Sequence, residues 1–183
     1  MLLMCTLAAP ALAPLGLGLA LLMAGCTPAL DWRETRLAGS GLTGMFPCQP
    51  KPFTREVRLA GQAVALTLAA CRADGRTWAL AWADLGNPAR VAAALDELRA
   101  SAAANIGASG GPVRALPLAV PGATPNPASR REELRGRLPD GEPVIEQVAV
   151  FTHGTRVFQL TALGPSLPPE AADAFFASWR ALP

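Results

Sequence analysis

The sequence predicts an α+β domain: an antiparallel sheet of about six strands with two main helices, in the order strands, helix, strands, helix. Three observations carry that expectation. Thr77 to Ala83 alternates strictly, with Trp78, Leu80 and Trp82 on one side and Ala79, Ala81 and Ala83 on the other. Period two marks a strand, and an alanine face leaves room for a helix packed close on it. Asn87-Pro88 and Pro168-Pro169-Glu170 read as helix starts, where an N-cap side chain or a proline with fixed φ suits the first turn. Short turn signals such as Ala73-Asp74-Gly75 join neighbouring apolar runs, as antiparallel hairpins require.

Taken in order, Leu42 to Pro47 is a short strand stopped by proline. Phe53 to Leu59 alternates, with Val57 and Leu59 opposite Glu56 and Arg58, and Ala60-Gly61-Gln62 turns the chain. Val64, Leu66 and Leu68 then alternate with Ala63, Ala65 and Thr67, which predicts a strand covered on both faces. In the first helix Val91, Leu95, Leu98 and Ala102 form the buried stripe, and Gly107 is its stop. Val113 to Val120 is an edge strand interrupted by Pro117, followed by a proline-rich loop from Pro121 to Pro127. Glu132 to Leu138 and Val144 to Thr152 form a hairpin across Pro139-Asp140-Gly141-Glu142. His153-Gly154 turns into a strand from Arg156 to Leu163. The last helix presents Phe175, Trp179 and Leu182, with Glu170 and Asp173 early and Arg180 late, as the helix dipole favours.

The chain has 16 basic and 14 acidic residues, and the first charge is Asp31. All cations but Lys51 are arginine, and most alternate with acids, as in Arg33-Glu34, Arg55-Glu56 and Arg130 to Arg135. Mixed runs of this kind are expected on a solvated face; a nucleic-acid footprint clusters one sign.

Leu2 to Gly25 contains no charge and ends in Leu22-Met23-Ala24-Gly25-Cys26. An apolar run, then small residues, then cysteine resembles a bacterial lipoprotein signal. The resemblance implies residues 1–25 as signal peptide and Cys26 as the first mature residue, carrying acyl chains of the palmitate type. It also implies a tether over residues 26–40 and a single α+β domain over residues 41–183. Two departures are Met23, where leucine is commoner, and a Met1-Leu2-Leu3-Met4 start without Lys or Arg. Thr27 in place of Asp resembles the outer-membrane default, so the expected location is the periplasmic face of the outer membrane. The alternatives are an uncleaved inner-membrane anchor, since about 20 apolar residues span a bilayer, and an ordinary cleaved signal.

The domain resembles the PsbP-like superfamily, the fold of the photosystem II extrinsic protein and the Ran-binding Mog proteins. Four segments carry the resemblance: Phe46-Pro47, Thr77 to Asp84, Arg156-Val157-Phe158-Gln159-Leu160, and Phe175-Phe176-Ala177-Ser178-Trp179. Together they cover about residues 41 to 181. Such domains serve mostly as binding or assembly modules, and the resemblance implies no catalytic residue. In an oxidising compartment the remaining cysteines, Cys48 and Cys71, are expected to form a disulfide. Two buried free thiols or a metal site are the alternatives, although one histidine and two distant cysteines do not supply a tetrahedral ligand set. No metal or other cofactor is expected.

One catalytic pattern needs testing. Gly107-Ala108-Ser109-Gly110-Gly111 matches G-x-S-x-G, and Asp140 and His153 follow in the order of α/β-hydrolases. A nucleophile elbow joins a strand to a helix, whereas here a helix precedes and a strand follows. Adjacent acids such as Glu132-Glu133 point apart on a strand and make poor acid/base partners. Trp78 and Trp82 are expected to pack in the core, with a ligand platform as the alternative. Trp32, in the tether, is expected on the domain or near the membrane surface. The function expected is a non-enzymatic envelope lipoprotein that binds an envelope protein or a small ligand. A periplasmic serine hydrolase using Ser109 and a purely structural spacer are the alternatives.

Overall fold

The computed structural model describes residues 29–182. Cys26 and the signal segment lie outside the described residues. Ten strands, β1 (Arg33–Arg36), β2 (Leu42–Phe46), β3 (Lys51–Leu59), β4 (Gln62–Ala73), β5 (Arg76–Asp84), β6 (Arg114–Leu116), β7 (Arg130–Arg137), β8 (Pro143–His153), β9 (Arg156–Gly164) and β10 (Arg180–Ala181), form two antiparallel sheets. The larger has seven strands in the order β3-β4-β5-β9-β8-β7-β6, and the smaller has three, β1-β2-β10. The helices are α1 (Val91–Asn105), entered through a single 3-10 turn at Pro88–Arg90, and α2 (Pro169–Ala177).

The expected α+β domain with about six strands and two main helices is therefore corrected: the protein is mostly β. Three physical causes account for the difference. Strand β4 runs for 12 residues, well past its clean alternation, because both its edges are paired, with β3 and with β5. Strand β1 lies in the segment read as a tether, held by antiparallel pairing to β2. The last helix stops at Ala177 because Ser178 ends it. The Ser178 hydroxyl donates to the Phe175 carbonyl and accepts the Met45 amide, each at 2.8 Å. That pulls the chain onto β2, where β10 adds as a strand.

The hairpins turn where left-handed backbone is needed. Ala60-Gly61 and Asp74-Gly75 have φ of 49°, 77°, 52° and 68°. Two consecutive positive φ values give the turn whose twist matches the flanking strands. Asn87 caps the 3-10 turn by accepting the Ala89 amide at 3.0 Å. Helix α1 buries Val91, Ala94, Leu95, Leu98 and Ala102, one residue more than the predicted stripe.

The large sheet separates two cores. On one face α1 packs over Ala83, Val148, Val150 and Val157, so the alanine side of β5 is the helix side. On the other, α2 and the small sheet enclose Phe46, Trp78, Phe158, Phe175 and Trp179. The Cys48–Cys71 disulfide, with Cα atoms 5.9 Å apart, joins the segment after β2 to β4 and so ties the small sheet to the large one. No helix among the described residues is long and apolar enough to cross a membrane.

Candidate functional site: a groove beside helix α1

Strands β3 and β4 extend beyond the width that α1 covers. Their helix-side residues, Phe53, Val57, Leu66 and Leu68, form one wall of a groove. The α1 flank carrying Leu98, Ser101 and Asn105 forms the other, and Ala81 lies in the floor. The cavity has a volume of about 440 Å³. Its depth follows from the alanine face of β5: a larger side chain at position 81 would fill the space under Leu98.

One end of the groove lies where β3 turns into β4. There the Glu97 carboxylate accepts the Ala60 amide at 2.7 Å, and Arg90 donates to the Ala60 carbonyl. Those contacts hold Ala60 in its positive-φ conformation and fasten α1 to the hairpin. At the other end Phe53 and Leu68, paired across the strands, are 63% and 41% exposed. This departs from the expectation that β4 is covered on both faces. Both side chains stay open to solvent on the helix side of the sheet, which one strand's periodicity cannot reveal. Arg55 and Arg58 also line the groove. Arg58 donates to the Gly61 carbonyl at 3.4 Å, whereas Arg55 has no hydrogen-bond or ion-pair partner among the described residues.

The other sequence candidates lie elsewhere. Trp78 and Trp82 are 0% and 7% exposed and sit in the core on the opposite face, away from any opening. Trp32 packs edge-to-face on Trp78 at 5.6 Å, so it docks on the domain. Ser109 is exposed just past α1. The Ile106 carbonyl accepts the Arg137 amide, and Arg137 pairs with Pro143 at the start of β8, whereas His153 ends that strand. At about 3.3 Å per residue along β8, and with Ser109 three residues from Ile106, the two Cα atoms lie more than about 10 Å apart. The His153 ring instead bonds the Gly122 carbonyl at 2.8 Å. No triad forms around Ser109.

The mixed charges of Arg130 to Arg135 are not all on a solvated face. Arg131, Glu132 and Glu133 are buried. Arg131 donates to Gln147 at 2.6 Å and to Asp173 at 2.9 Å, and its guanidinium carbon lies 4.1 Å above the centre of the Phe176 ring. Burial lowers its pKa, and Asp173 opposes that shift. Glu133, on the same side, accepts from Gln147 and Arg114. Glu132 faces the other way, toward Arg99 of α1 at 3.6 Å. These partners come from β6, β8, α1 and α2, so no local pattern announces them. The network fastens both helices to β7 and opens into no cavity.

Glu146 differs from these acids. It sits on β8 between Leu134 and Leu163, buried, and makes no hydrogen bond or ion pair among the described residues. Burial pushes its pKa up to about 7. A folded-state pKa above the unfolded value of about 4.3 means that the fold prefers the protonated acid. Stability is therefore greatest below the unfolded pKa and falls as pH rises through the folded one. We expect a loss of about 2 kcal/mol between pH 5 and pH 8. Glu146→Gln should flatten that slope, as read by urea denaturation at the two pH values. A slope unchanged in Glu146→Gln would place its origin elsewhere.

Among the described residues no three His, Cys, Asp or Glu side chains come together as a metal site. Compared with known proteins, the chain matches no family model and no curated relative.

Proposed function

We propose that this chain is an envelope lipoprotein, anchored through acyl chains on Cys26 to the periplasmic face of the outer membrane. Its domain is a non-enzymatic binding module, and the groove between α1 and β3–β4 is its binding surface. The observation that carries the reading is the character of that groove. Its lining is more apolar than polar, and its acid, Glu97, is hydrogen-bonded to the Ala60 amide and not to the neighbouring Ser101 hydroxyl. Such a surface suits recognition. The address is supported by Leu22-Met23-Ala24-Gly25-Cys26 at the end of an uncharged run. Two or three acyl chains, at about 0.8 kcal/mol per buried methylene, hold a protein on a bilayer stably.

Cys26→Ala is expected to move the protein from the membrane fraction to the soluble periplasm, read by fractionation and immunoblot. A variant that stays membrane-bound through an alkaline carbonate wash would instead establish an uncleaved anchor.

A further inference from the structure

We propose that the groove takes a single unbranched acyl chain, a long-chain carboxylate whose head group pairs with Arg55. The proposal rests on the binding-module reading above and names the ligand class. Shape comes first. From Leu59 to Phe53 the groove follows β3 for about 20 Å at strand spacing. That length suits an extended, unbranched chain, and the cavity of about 440 Å³ leaves room for one.

The lining agrees with an apolar ligand. Phe53, Val57, Leu66, Leu68 and Leu98 supply most of the exposed lining, with Ser101, Asn105 and Gln159 beside them, so an acyl chain finds apolar surface to cover. Phe53 and Leu68 are exposed to water at the end of the groove away from the β3–β4 turn, and a seated chain would cover them. Charge then selects the head group. Glu97 is held by the Ala60 amide, and Arg55 is exposed and without a partner among the described residues. Arg55 and Arg58 outnumber Glu97 along the lining, so its excess charge is positive, and a guanidinium accommodates a carboxylate with two parallel hydrogen bonds.

The test uses the full chain in phosphatidylcholine vesicles with a diazirine-bearing hexadecanoate, and crosslinked peptides are mapped by mass spectrometry. Labels are expected on the β3–β4 hairpin and on the α1 flank, and unlabelled hexadecanoate should compete them away. Ala81→Leu fills the floor and should reduce labelling about tenfold. Ser101→Trp, at an exposed position of α1, narrows the groove without touching the core and should do the same. Arg55→Glu should weaken hexadecanoate labelling about tenfold and leave the matching hexadecanol probe unchanged. Labels outside the groove, or labelling that survives Ser101→Trp, overturn the proposal. An equal effect of Arg55→Glu on both probes overturns the head-group pairing. Fractionation of Cys26→Ala reads the anchor separately. Correct fractionation with no groove label removes only the ligand class, whereas a carbonate-resistant variant removes only the lipid anchor.

Discussion

Trp179→Ala is expected to lower the stability of the fold by about 4 kcal/mol, measured by guanidinium denaturation at neutral pH. The indole is fully buried in the core between the large sheet and the small one. It meets Phe46 and Phe175 edge-to-face, with ring centres at 5.5 and 5.8 Å. Truncation removes the apolar area and both aromatic contacts and leaves a cavity walled by two sheets that cannot collapse freely. The position also explains Gly44. A Cβ built there would lie 2.3 Å from the Trp179 ring, so the small sheet carries glycine where the indole lies flat on it. Gly44→Ala should destabilise strongly in the natural background and add little to Trp179→Ala, since the clashing partner is gone. Equal costs in both backgrounds would show that the ring does not impose the glycine. The Trp179 indole N–H is buried without a partner, so Trp179→Phe should lose considerably less than the alanine variant.

The second large effect concerns the disulfide. Replacing Cys48 and Cys71 together with alanine is expected to cost about 3 kcal/mol, the unfolded-state entropy of a loop this long in the chain-entropy model. The two residues are 23 positions apart, and the bridge joins elements of different sheets. Reductant should bring the natural protein down to the stability of the double variant and leave the variant itself unmoved. A double variant as stable as the parent, or a parent indifferent to reductant, would show that the bridge contributes nothing. Thiol counting on the denatured, unreduced chain should detect neither Cys48 nor Cys71.

Local patterns were the legible part of this fold. The alternation of Thr77 to Ala83 predicted β5 and placed its alanine face under a helix, which is where α1 lies. Asn87-Pro88 predicted the helix entry, and Asp74-Gly75 the hairpin turn. What failed was any reading that needed a neighbour. Arg33 to Arg36 has little apolar character, and it is a strand because β2 offers it an edge. Arg180-Ala181 continues a helical pattern on paper, and Ser178 diverts it into a sheet. Alternation put Trp78 and Trp82 on one apolar face, which left core packing or a platform open; α2 and the small sheet cover that face. The groove was hidden for the complementary reason. Phe53 and Leu68 read as ordinary strand apolar residues, and their exposure depends on which part of the sheet α1 covers.

The sequence by itself determined the strands with clear alternation, both helix starts, the hairpin turns and the cysteine pair, because each depends on the backbone preferences or chemistry of a few residues. Tertiary structure alone decided the second sheet, the burial of Arg131, Glu133 and Glu146, and the opening between α1 and β3–β4. Those features depend on contacts between segments far apart in the chain. Burial and pairing are properties of the assembled neighbours, and no local period encodes them.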